Sequence, residues 1–275
     1  MIFSVFGDES ADETKQRVFA VSGVIGTEEE WAIAEEAWLR QTNGEIFHAA
    51  DWEYAGRKDD YKALTQVLTS VPIAGVVYAL DLVAFNAVFP NTLRESCYMK
   101  CFSRVVLDVA GNAERFNNQL SDPDKVTKVE FTFDNRPETE FSAARAYASF
   151  MNEPEWSAAS LLADKISFQC RSNPRIQMAD LIAREGMKEL DRRVGPVSFP
   201  ERKSKIALEQ SGHFRFFSLD REFLEAERVR QAELEKDGVS EAAYHAWLTR
   251  KGAQDTWDNK VRFLEYIDAE ARRSR

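Results

Sequence analysis

Three aspartates stand where the chain could do chemistry. Asp8 follows an apolar stretch, residues 2–6, that reads as a β-strand. Asp134 closes a second such stretch, residues 129–133, and Asp180 lies in a helical pattern spanning 176–192. In open α/β sheets, ligand sites gather where strand ends, loops and helix termini converge. Carboxylates delivered by two strand ends and one helix can surround a common point. Hard divalent cations such as magnesium take oxygen ligands of this kind. Two such ions ~3.5–4 Å apart polarise an attacking water and stabilise the leaving oxygen of a phosphodiester. A simpler account also exists. With 46 acids in the chain, several reach strand ends by chance. Asp134 sits in Asp134-Asn135-Arg136-Pro137, a turn that needs no catalytic explanation.

Helical phase adds to the reading of Asp180. Ile176, Ala179, Ala183, Gly186, Met187 and Leu190 form an apolar face, and Gln177, Asp180, Arg184 and Lys188 a polar stripe. The stripe is either an ordinary i, i+4 ion pair or a metal ligand with Arg184 and Lys188 placed to meet phosphate. Residues 171–205 carry nine bases and five acids, whereas residues 1–70 carry six bases and fourteen acids. A polyanion would approach the base-rich side. His48, close to Glu45 and Asp51, is either a general base or phosphate contact, or a loop residue packed on Phe47 or Trp52. His213 and His245 have no partner set.

Phe6-Gly7-Asp8-Glu9-Ser10, a strand-terminal Asp134 and Ile176-Gln177-Met178-Ala179-Asp180-Leu181-Ile182-Ala183 together resemble the signature of the bacterial domain-of-unknown-function family 3800, within the ribonuclease H-like superfamily. The resemblance spans residues 1–193. It implies a ribonuclease H-like mixed β-sheet with helices on both faces. It implies Asp8, Asp134 and Asp180 as ligands of Mg2+ or Mn2+, with Glu9 as a fourth, and His48 as a catalytic group. Arg171, Ser172, Gln177, Arg184 and Lys188 are the expected substrate contacts. Ala11 stands where the family usually has Gly, and Glu95 is the one candidate for an acid on the first long helix.

The elements that must position these groups follow from pattern. Strands are expected over 2–6, 18–25, 73–82, 129–133 and 165–170, with residues 8–17 as a hairpin loop. Helices are expected over 28–40, capped by Thr27, and over 59–69, 92–111, 138–151 and 176–192. This order predicts an α/β fold over 1–193. A linker over 195–205 then leads to a charged helical extension, 206–275, with helices at 216–236, 240–251 and 255–273. Such an appendage could bind a protein partner.

The formal net charge is −10, which disfavours a high-affinity non-specific duplex binder but not an enzyme with a carboxylate-held metal. The best apolar stretch, residues 72–85, is broken by Asp81 and too short to span a membrane. No secretory signal is visible, and the three cysteines are too scattered for a disulfide framework; Cys97 and Cys101 read as core residues of one helix. A cytoplasmic location is therefore expected. Three functions compete: a metal-dependent nuclease acting on DNA or RNA, an inactive interaction module of the same fold, and a carboxylate-pair hydrolase such as a glycosidase.

Overall fold

The computed structural model describes residues 1–54, 56–90, 94–121, 124–154, 156–196 and 199–237. The chain opens with a hairpin of β1 (Ile2–Ala11) and β2 (Val18–Gly26), followed by helices α1 (Glu28–Thr42), α2 (Ala49–Tyr54) and α3 (Lys58–Ser70). Strand β3 (Ala74–Asp81) leads into α4 (Leu82–Val88) and the long α5 (Arg94–Asn117). Then come β4 (Lys128–Asp134), α6 (Pro137–Met151), the short β5 (Ser167–Gln169) and α7 (Pro174–Val194). Helix α8 (Lys203–Gln210), β6 (Phe214–Leu219) and α9 (Arg221–Asp237) complete the described chain.

The strands form one six-stranded mixed sheet in the order β5-β4-β1-β2-β3-β6. β1 runs antiparallel to β2, and β2 to β3; β1–β4, β4–β5 and β3–β6 are parallel. The fold is thus α/β, with helices on both faces. Alternation along the strands divides the core in two. Val5, Val21, Phe131 and Phe133 pack with Phe102 and Val105 of α5 on one face. Phe6, Val24 and Val77 pack with Trp31 of α1 and with Met178 and Ile182 of α7 on the other. Cys97 and Cys101 are buried in the first of these cores, as their helical spacing implies. Among the described residues no helix is long and apolar enough to cross a membrane.

Local chemistry explains where the elements begin and end. Thr27 and Glu30 close a reciprocal capping box at the start of α1. The expected loop 8–17 is shorter than its polar composition implies, because β1 continues through Ala11. The buried Asp12 makes this turn tight. Its carboxylate accepts from the backbone N–H groups of Thr14, Gln16, Arg17 and Val18 at 2.8–3.1 Å, replacing strand partners with a side chain.

Helix α7 crosses the sheet over β1, β2 and β3. Ser22 Oγ donates to the Ala179 carbonyl at 2.8 Å, and a Cβ on Gly186 would stand 2.6 Å from Val77 Cγ2. Only a glycine lets the helix approach the sheet this closely. Of the polar stripe on α7, Gln177, Asp180 and Arg184 are buried and Lys188 is partly buried. Both sides of the helix are covered, so its polar residues meet protein rather than water.

The reading after residue 193 needs correction. Residues 214–219 are a strand, not the start of a helix at 216, and pair with β3 from Gly75↔Phe214 to Leu80↔Leu219. Helix α8 begins within the end of the expected linker, runs past it and packs against α3. The sheet therefore continues beyond residue 206. The expected helices at 240–251 and 255–273 lie outside the described residues.

Candidate metal centre

The site forms where two parallel strands part. β1 and β4 pair as far as Gly7↔Phe133, so the next residue on each strand is an aspartate, Asp8 and Asp134. There β4 ends, and Asn135 N–H turns to the Gln169 carbonyl at 2.9 Å, while β1 goes on beside β2. Asp8 is therefore within its strand rather than at the strand's end. Gly7 has a positional reason: a Cβ would meet the Phe133 ring at 2.4 Å and the Ser22 carbonyl oxygen at 2.7 Å.

One carboxylate oxygen each from Asp8, Glu9 and Asp134 lie within 4.8 Å of one another, and all three residues are buried. Asp180, buried on α7, does not join that set, but its charge bears on Asp8. Asp180 Oδ2 accepts from Ala49 N at 2.8 Å, which fixes the start of α2 and places the neighbouring His48 beside the acids. His48 Nδ1 lies 2.8 Å from Asp51 Oδ2. Arg136 pairs with Glu9, and the exposed Arg171 lends its charge to Asp8, Asp134 and Asp180.

The electrostatics are those of crowded carboxylates. Burial pushes Asp8 well above the usual carboxylate range, and the charges of Asp180 and Asp134 push it further, against Arg171 and Arg136. Burial likewise raises Asp134, opposed by Arg171, the Asn135 N–H and His48. Asp180 is raised by burial, opposed by the Ala49 N–H, His48, Arg171 and Arg184. A bound cation would oppose each of these shifts. The donor set is all oxygen, and each carboxylate has two oxygens. It fits a hard divalent ion, which Asp8, Glu9 and Asp134 would hold, with the charge of Asp180 beside them.

These shifts set a pH dependence. A carboxyl whose folded pKa is raised keeps its proton in the folded state after the unfolded chain has lost it. Its contribution to stability is present at low pH and is lost as pH rises through the folded value. Asp12 and Glu53, whose pKa values are lowered, act with the opposite sign. The comparison with Asp8→Asn isolates the cluster. The metal-free variant should gain a few degrees of Tm over the wild type as pH rises from about 4 to 7. Parallel Tm–pH curves for the two proteins would contradict the repulsion.

The remaining expected contacts are distributed differently. Gln177 is not at the surface of the site. Its Oε1 accepts from Trp38 Nε1 and Phe47 N, both at 3.1 Å, and its Nε2 donates to the Arg171 carbonyl at 3.0 Å. One buried amide thus ties together the loops that carry His48 and Arg171. Gln177→Leu leaves these groups unpaired and should cost about 2–3 kcal/mol. Gln177→Glu keeps both accepted bonds but, unless protonated, turns an acceptor toward the Arg171 carbonyl, so it should cost less at low pH than at neutral pH; urea unfolding of both variants at the two pH values measures the difference.

Arg184 is committed to Glu53, at 2.9 Å from Nε and 2.8 Å from Nη2. Arg202 joins Glu53 at 2.5 Å and Glu185 at 2.9 and 2.7 Å, and Tyr61 Oη donates to Glu185 at 2.8 Å. Nothing in the sequence pattern marked Glu53, Glu185 and Arg202 as one network, because α2, α7 and α8 meet only in the fold. Lys188 is partly buried, and burial and Arg184 lower its pKa. Ser172 is exposed, with Oγ 2.8 Å from Cys170 Sγ. The side chain of Glu95 lies outside the described residues.

The base-rich stretch 171–205 is largely neutralised internally. Arg175 pairs with Glu28 and Glu35, Arg192 with Glu189, Arg193 with Asp220, and Lys205 with Glu201 and Glu209. Its surplus of bases is therefore not an open landing surface for a polyanion. From that stretch Arg171 acts by its charge on Asp8, Asp134 and Asp180, and Arg184 on Asp180.

No protein-family model matches the chain, and no curated protein sequence matches it.

Proposed function

We propose that the protein is a ribonuclease H-like hydrolase that uses Mg2+ or Mn2+ to cleave a phosphodiester of DNA or RNA. The observation that carries this reading is the meeting of buried carboxylate oxygens from Asp8, Glu9 and Asp134 within 4.8 Å, with the charge of Asp180 beside them. The sheet supports it: antiparallel β1–β2–β3 joins parallel β1–β4–β5 in one mixed sheet with helices on both faces, and a mixed sheet so covered is what the resemblance implies.

Asp8, Glu9 and Asp134 would hold the metal, with the charge of Asp180 beside them. Bound there, it would supply Lewis-acid polarisation of the phosphate and acidify a water. The chain's own groups do the rest. His48, next to the Asp180–Ala49 anchor, can accept or pass a proton at Nε2, with Asp51 beside Nδ1. Arg171 is exposed and acts by its charge on Asp8, Asp134 and Asp180, so it can hold a phosphate oxygen.

A glycosidase reading fits less well. Such an enzyme works with a pair of carboxyl groups. Here three acids, Asp8, Glu9 and Asp134, bring oxygens together, a grouping that suits a shared cation.

The test uses purified full-length protein and end-labelled single- and double-stranded DNA and RNA of one sequence. Cleavage of at least one substrate in Mg2+ or Mn2+, and none in EDTA, is expected. Intact substrates under every condition, from protein shown to be folded, would count against the reading.

A further inference from the structure

Arg136 sits two residues beyond Asp134, at the N-cap of α6, with its side chain 41% exposed. Its guanidinium Nε pairs with Glu9 Oε1, whose side chain is 3% exposed. That oxygen is shielded from water and accepts no hydrogen bond among the described residues, so its compensation comes from the arginine's charge. Asp8 on β1, Glu138 on α6 and Arg171 after β5 are the other charges bearing on Arg136. Helix α6 is held independently: Ala143 and Tyr147 are in the core, and Tyr147 Oη donates to the Ala163 carbonyl at 3.0 Å. Its first turn receives no cap from the Arg136 side chain.

A guanidinium stays charged at any working pH, so it cannot leave a carboxylate by deprotonation. Of the two Glu9 oxygens Arg136 holds Oε1, so an ion that seats on Oε1 must take it from Arg136. We infer that Arg136 is a resident counterion of the empty site, which a divalent ion displaces from Glu9 on binding. This rests on the metal reading proposed above. Loading the site and freeing Arg136 are then one event, and the freed guanidinium remains at the rim beside Arg171. The protein thus tolerates an empty acidic cluster at the expense of ion affinity.

The competition gives two changes of opposite sign. In Arg136→Gln of the full-length chain, Mn2+ binding measured by calorimetry should tighten about tenfold, the equivalent of one charge-assisted pair no longer broken. In EDTA the same variant should melt several degrees below the wild type, and saturating Mn2+ should close that gap. Arg136→Lys keeps a charge without the planar fork and should fall between the two. It also carries the test should the glutamine variant not fold. Equal or weaker Mn2+ binding in the variants, with the same loss of Tm in EDTA and in Mn2+, would make Arg136 an ordinary structural pair and overturn the inference. Absence of Mn2+ binding in wild type and variants alike would remove the metal reading and this inference with it.

Discussion

Asp8→Asn should lower the affinity for Mn2+ by about 100-fold or more while leaving the fold intact. Asp8 stands between Asp134 on the adjoining strand and Glu9 along its own, within reach of both. An amide of the same shape keeps an oxygen but loses the charge, and a hard cation draws most of its binding from charge. The same exchange relieves the repulsion that burial, Asp180 and Asp134 impose on Asp8. The variant should therefore melt at or above the wild-type temperature without metal and gain little from added Mn2+. Calorimetry and thermal melts in EDTA and Mn2+ read both effects. Asp134→Asn should behave alike, and any phosphodiester cleavage should disappear with ion binding. Undiminished Mn2+ affinity in both variants would place the ion elsewhere.

Glu185→Ala should show the contrary pattern, a large loss of stability with the metal ligands untouched. Glu185 is fully buried and receives Tyr61 Oη and two hydrogen bonds from Arg202. Removing one partner of a buried pair leaves the other charge desolvated, at a cost of about 3–5 kcal/mol. Glu53 also holds Arg202, which places the expectation toward the lower end of that range. Replacing both members, as Glu185→Leu with Arg202→Leu, should cost clearly less than the sum of the single changes, because no unpaired charge remains. Urea unfolding of the four proteins in the cycle gives the coupling. Additive losses would show that the pair does not act as a unit.

Glu185 also shows why α7 was only partly legible from sequence. Its helical period and the spacing of Gln177, Asp180 and Arg184 are local properties, and the structure keeps them. The destination of the polar stripe is not local. Amphipathic reasoning assigns polar residues to water, but here Glu53 of α2 and Arg202 near α8 wait on that side. Gln177 and Arg184 consequently hold loops and helices in place, although their types suit substrate contact equally well.

The strands repeat the lesson. β1, β2 and β4 were readable because β-branched and aromatic residues alternate there, and Asp8 and Asp134 followed from strand position. That the two are neighbours across a parallel pair depends on register, which no short window encodes. Glu9 was reached through the resemblance alone, since simple alternation puts it on the opposite face from Asp8. β6 was missed because Phe-Arg-Phe-Phe-Ser-Leu runs into a charged helix, and its parallel partner β3 lies far back in the chain.

The central claim is that Asp8, Glu9 and Asp134 form a divalent-ion site. Crystals soaked in Mn2+ and measured at a wavelength where manganese scatters anomalously test it by position as well as by occupancy. The account predicts an anomalous peak in bonding distance of oxygens from Asp8 and Asp134, with Arg136 turned away from Glu9. Anomalous peaks only at other surface acids, with Arg136 still seated on Glu9, would contradict it.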